Sequence, residues 1–230
     1  MIKKEIYSFQ QYLRSPYYQD KEDKIRIQSI IALIAVYFSV MIVCNILIRG
    51  YISVTNLVYT INTLPIFDNV LFFTLLIGLV GPLKEEVQFR LLLKINKPNI
   101  IIFYAVNILT AVVLFLLGKV TNGFVYISIL GLISLFLWKK GIKIKNYYQK
   151  YFSIIFYLFT VVFALLHITN YGGDLEYLIL GIPILVLPQF VLGCILGYVR
   201  IKFGFWYNVL FHVVNNIIAF IFLYKDVMVA

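Results

Sequence analysis

Acidic residues are scarce in this chain: 10 Asp and Glu stand against 20 Lys and Arg among 230 residues, a net charge of +10. Charged residues of both signs make up 13% of the sequence, where a soluble domain carries about 25%. That shortfall excludes an ordinary water-facing surface. Cysteine is almost missing, and Cys44 and Cys194 form no metal-ligand spacing; each sits in an apolar segment and reads as a small hydrophobe packed between helices. Sustained apolar–polar alternation is absent, which excludes a soluble all-β fold. Ser128, Ser134 and Ser153 lack a Gly-x-Ser-x-Gly setting, so no serine nucleophile is legible. No internal repeat points to a transporter of inverted halves. No basic face with interleaved aromatics stands free of the apolar segments, which argues against a nucleic-acid partner.

What the chain has in quantity is apolar side chains: 62% of residues, spread over repeated long segments. That distribution predicts an all-α, polytopic transmembrane helical bundle. The basic residues cluster between these segments, as the positive-inside rule requires of cytoplasmic loops. Residues 1–26 hold Lys3, Lys4, Arg14, Lys21, Lys24 and Arg26 with interleaved tyrosines, and read as a cytoplasmic or interfacial N-terminal arm. They show no apolar core followed by a cleavage site, so the first span is expected to act as an uncleaved signal anchor. Residues 27–230 form a single transmembrane domain with no linker.

Seven spans are expected, with the N-terminus inside. They run over about 27–48 (ended by Arg49 and Gly50), from Leu64 into the 81–90 stretch, 99–117, 124–138, 151–170, 177–199 and 205–224. Pro183 and Pro188 leave open whether the sixth is one kinked helix or two short ones, which makes eight the alternative. Lys139-Lys140-Gly141-Ile142-Lys143-Ile144-Lys145 is the strongest cytoplasmic loop signal.

Polar groups inside the spans carry the chemistry. Gly81-Pro82-Leu83-Lys84-Glu85-Glu86-Val87-Gln88-Phe89-Arg90 places two carboxylates and a guanidinium in an apolar run. On insertion scales each ionised group at a bilayer centre costs about 2.5–3.5 kcal/mol, so such groups face a protein interior. Glu86 and Arg90 are i and i+4 on a helix and can pair, while Glu85 is rotated by about 100° and is free to face another wall. A structural ion cluster at a helix end is the bland alternative. The chain has 2 histidines, and both lie within spans: His167 in Phe163-Ala164-Leu165-Leu166-His167, and His212 one turn before Asn216. A carboxylate base, imidazoles and an amide donor are the groups that water-driven amide hydrolysis needs.

At these residues the sequence resembles the CAAX protease and bacteriocin-processing (CPBP, Abi) family of glutamate-type intramembrane proteases. Glu85-Glu86-x-x-x-Arg90, Phe163-x-x-x-His167 and His212-x-x-x-Asn216 match its motifs in order, over about 85–216. The resemblance implies that Glu85 and His167 activate the attacking water. It implies an oxyanion hole from His212 and Asn216, and a structural or tuning part for Glu86, Arg90 and Phe163. A metal-dependent alternative would use Glu85, His167 and His212 as zinc ligands; the metal-free reading is favoured, because the donors come from separate helices with no His-Glu-x-x-His pair. Leu91 stands where many members have glycine. The implied partner is a peptide or protein substrate, prenylated or of bacteriocin-leader type, met in a lipid membrane, with the bacterial cytoplasmic membrane as the expected place. Hydropathy puts His167 at a different depth from Glu85 and His212, so a water-filled cavity is expected to join them. A non-catalytic immunity or scaffold protein of the same fold, and a proton-coupled transporter, are the rival readings.

Overall fold

The computed structural model describes residues 2–59, 75–118 and 144–228, whose regular elements are helices and turns of helix apart from one two-residue ladder. Helix α1 (Ile2–Arg14) is followed by α2 (Ile27–Thr55) and strand β1 (Val58–Tyr59). A π turn (Leu76–Val80) leads into α3 (Gly81–Phe89), and a 3-10 turn (Leu91–Leu93) leads out to α4 (Lys97–Leu116). The chain continues through α5 (Ile144–Lys150), α6 (Phe152–Leu166), a 3-10 turn (His167–Asn170) and strand β2 (Tyr171–Gly172). It closes with α7 (Leu175–Leu185), α8 (Leu187–Lys202) and α9 (Phe205–Met228).

Among the described residues, four helical stretches are long and apolar enough to cross a membrane: Ile27–Thr55, Lys97–Leu116, Phe152–Asn170 and Leu175–Lys202. They correspond to the first, third, fifth and sixth expected spans. The fourth expected span, the residues 64–74 that begin the second, and the Lys139–Lys143 part of the basic loop lie outside the described residues. The large apolar side chains that remain exposed, such as Ile42, Ile46, Leu109 and Ile154, are those a lipid phase would cover.

The boundaries differ from the sequence reading in ways that have causes. Arg49 and Gly50 do not end the first span; α2 continues to Thr55. One glycine costs a helix only about 1 kcal/mol, and a terminal arginine can extend its charge toward water. The stop comes at Asn56, left-handed at φ 54°, whose N–H donates to the Ile52 carbonyl. The sixth span is two helices, broken at Val186, with Pro188 in the first turn of α8 where its missing N–H costs nothing. Pro82 likewise opens α3. Asn96 caps α4 by accepting from the Asn99 N–H at 2.8 Å.

Helix α8 is the axis of the bundle. It packs against α6, α9 and α2, and every residue from Leu192 to Ile201 is buried. At one end of the bundle β1 pairs antiparallel with β2, Val58 opposite Gly172. The two loops expected outside the cytoplasm therefore meet there. At the other end α1 folds back onto the bundle. Phe9 and Tyr12 are buried, and both rings meet the Tyr198 ring edge-on. Residues 2–14 are thus a packed element and not a solvated tail.

Candidate active site

Helix α3 presents its two carboxylates to different surroundings. Glu86 is fully buried. Its Oε1 accepts from His212 Nδ1 at 2.7 Å, and its Oε2 accepts from the Asn208 side-chain amide. The i, i+4 pairing with Arg90 is present but longer, at 3.8 Å. Glu85 keeps 31% of its side chain exposed, yet its Oε2 is buried with no hydrogen-bond partner and lies 3.7 Å from His212 Nε2. An ionised carboxylate can only accept, so Glu86 requires the hydrogen of His212 on Nδ1. That leaves Nε2 as the nitrogen that faces Glu85.

Arg90 is buried and stacks on Phe163, its guanidinium carbon 3.8 Å from the ring centroid. This cation–π contact compensates part of the lost hydration. The stack needs Gly193 on α8: a Cβ there would stand 3.0 Å from Arg90 Nη2 and 3.3 Å from Phe163 Cδ1. The same Phe163 ring meets His212 edge-on at 6.0 Å and His167 at 4.7 Å. His167 is the residue at which α6 ends, and its Nδ1 donates to the Phe163 carbonyl at 2.8 Å. Histidine at a helix C-terminus commonly satisfies a last carbonyl in this way. Its Nε2 is left available.

The structure therefore gathers Glu85, Glu86, Arg90, Phe163 and His212 into one contact chain, and reaches His167 through the phenylalanine ring. The imidazole set against Glu85 is that of His212. Asn216 follows one turn along α9, half-buried, and its Oδ1 accepts from the Asn215 amide at 3.3 Å. One cavity of about 110 Å³ lies between α2 and α9, and another of about 970 Å³ between α3, α4 and the start of α9; neither is lined by Glu85, His167, His212 or Asn216. The Phe163 ring is in edge contact with both imidazoles.

Among the described residues, no group of three or more His, Cys, Asp or Glu side chains is arranged to hold an ion. Two residues that the sequence reading passed over are central here. Asn208 precedes His212 by four residues as Asn216 follows it by four, so the 208–212–216 spacing was available as a signal. Arg200 is buried, and its Nε and Nη2 donate to the Arg90 and Leu91 carbonyls at 3.1 and 3.3 Å. No sequence pattern marks that bond.

Residues 141–218 match the family model described as Type II CAAX prenyl endopeptidase, Rce1-like. The match spans the Phe163–His167 and His212–Asn216 motifs and bears out the resemblance read from them; Glu85–Arg90 lies outside it. The matched stretch is thus similar to CAAX proteases, and the four apolar spans mark a helical integral membrane protein. No curated protein and no solved structure matches the chain.

Proposed function

We propose that this protein of CAAX-protease kinship is an intramembrane endopeptidase that uses Glu85 as the base toward water. The observation that carries the reading is the buried, unpartnered Glu85 Oε2 at 3.7 Å from His212 Nε2, with the far side of the same imidazole held by buried Glu86. A water lying beside this pair can touch both atoms at hydrogen-bond length. Glu85 takes its proton as the oxygen attacks the scissile carbonyl carbon. Glu85, Glu86, Arg90 and a protonated His212 sum to zero, and the proton that Glu85 takes is offset by the negative charge that develops on the carbonyl oxygen.

As the carbonyl oxygen becomes an anion, His212 Nε2–H and the Asn216 amide donate to it. The imidazolium this requires is stabilised by the Glu86 carboxylate on Nδ1. The carbon–nitrogen bond then breaks, and the proton held by Glu85 passes to the leaving nitrogen. His167, with Nδ1 tied to the Phe163 carbonyl, offers Nε2 to the same water or to the leaving group. The substrate is an extended peptide, prenylated at its cysteine or of bacteriocin-leader type. The protein sits in a bacterial cytoplasmic membrane with its N-terminus inside. The arm's contacts with Lys94, Arg200 and Lys202 support that orientation, since these basic groups share one end of the bundle.

The test is cleavage of a farnesylated Cys-aliphatic-aliphatic-X peptide, and of leader peptides, by the full chain in proteoliposomes, read by mass spectrometry. Glu85→Gln is expected to lower turnover by about 10²–10⁴-fold, the usual share of a general base. Cleavage that persists in both Glu85→Gln and His212→Ala would overturn the reading.

A further inference from the structure

The arm reaches back to the helix that carries the carboxylates. Glu22 Oε1 lies 3.1 Å from Lys94 Nζ and 3.7 Å from Arg200 Nη1, and both cations are buried. The turn that receives Glu22 is shaped for it. Gly204 has φ +110°, and a Cβ there would stand 2.5 Å from Glu22 Oε2. The Asp23 N–H donates to the Lys202 carbonyl at 2.7 Å beside it. Arg200 in turn donates to the Arg90 and Leu91 carbonyls. Arg90 is the C-cap of α3 and Leu91 opens the 3-10 turn that follows, so the guanidinium joins the Leu93 and Lys94 N–H groups on these carbonyls at a helix end, where positive charge is favourable. One turn back from Arg90 is Glu86, whose carbonyl accepts the Arg90 N–H at 2.9 Å.

We propose that Glu22 is a positioning residue for the Glu85–Glu86–His212 centre, acting through Arg200. Glu22 fixes the guanidinium, the guanidinium fixes the end of α3, and that end sets how the two carboxylates meet His212. The inference rests on the peptidase reading for its catalytic consequence, but its geometric content does not. An ångström of misplacement in a reacting group costs on the order of 10²-fold in rate.

The experiment uses the full chain in nanodiscs, labelled with 13C at histidine Cε1. The protein has 2 histidines, so His167→Gln assigns both resonances. Glu22→Gln is expected to move the His212 resonance and to leave that of His167 in place. On the farnesylated peptide it is expected to lower kcat about tenfold with little change in KM. Arg200→Lys keeps the charge but loses the fork on the two carbonyls, and should move the same resonance. Asp20→Asn, which breaks the exposed pair with Lys145 at 2.8 Å on the same arm, should move neither readout. An unmoved His212 resonance in folded Glu22→Gln, or in Arg200→Lys where Glu22→Gln does not fold, overturns the proposal. If the wild type cleaves no peptide, the peptidase reading falls, and the histidine spectra still decide the positioning.

Discussion

The two sides of α3 meet very different surroundings. Glu86 looks inward, and both its oxygens are bound by α9. Glu85, one residue earlier, keeps part of its side chain open and leaves one oxygen without a partner. In the proposed mechanism the same functional group is a strut on one side and a reagent on the other, and packing makes the difference. A carboxylate whose acceptor sites are filled cannot take a proton cheaply; one with a free oxygen beside an imidazole can.

That contrast can be broken from either side. Glu86→Gln is expected to destabilise the bundle by about 3–5 kcal/mol, because Arg90 is then buried without an opposite charge; thermal unfolding in detergent measures it. Glu85→Gln is expected to change stability by only about 0.5 kcal/mol, while cleavage falls as stated above. Equal stability losses in the two variants would erase the distinction.

A smaller effect probes the stack behind Glu86. Gly193→Ala forces a methyl to 3.0 Å from Arg90 Nη2 and Thr160 Cγ2, and overpacking of this kind costs about 1–3 kcal/mol. The same unfolding measurement should detect it, and a neutral result would mean that the guanidinium can slide along the ring.

The smallest effect concerns the arm. Burial acts to raise the Glu5 carboxyl, but hydrogen bonds from Lys202, Tyr198 and Ser29, with the Lys202 charge, outweigh it and hold Glu5 below the ordinary 4.5. A carboxyl depressed in the folded state stabilises fully above its unfolded value and loses that contribution as pH falls through the folded one. Hydrogen exchange of residues 2–14 is therefore expected to quicken below about pH 4.5, and Glu5→Gln should remove the dependence. Unchanged protection at acid pH would show that Phe9 and Tyr12 hold the arm without the ion pair.

Against these expectations, the legible part of the fold was what hydropathy reports. Apolar runs became helices at 27–55, 97–116, 152–170 and 175–202, and proline marked where α3 and α8 begin. Of the side chains that motif spacing named, Glu85, Glu86, Arg90, Phe163 and His212 share one neighbourhood. Which nitrogen meets which oxygen was not legible, because it depends on how three helices cross and not on any one helix's period. The Glu86–Arg90 pair illustrates this. The i, i+4 rule predicted it, yet tertiary packing gave Glu86 nearer partners in Asn208 and His212. Arg200 and Glu22 were hidden for a related reason. A basic turn and a charged arm look solvated until the chain brings them together from positions far apart in sequence.

The clasp between the arm and α8 also sets a timetable. Glu5 waits for Tyr198 and Lys202, its partners 193 and 197 residues further on. At synthesis rates of about 5–20 residues per second, that interval is roughly 10–40 s. During it α1 can rest on α2, where Ser29 donates to Glu5 at 3.0 Å, and on the bilayer surface. The contacts of α1 with α8 are thus among the last to form.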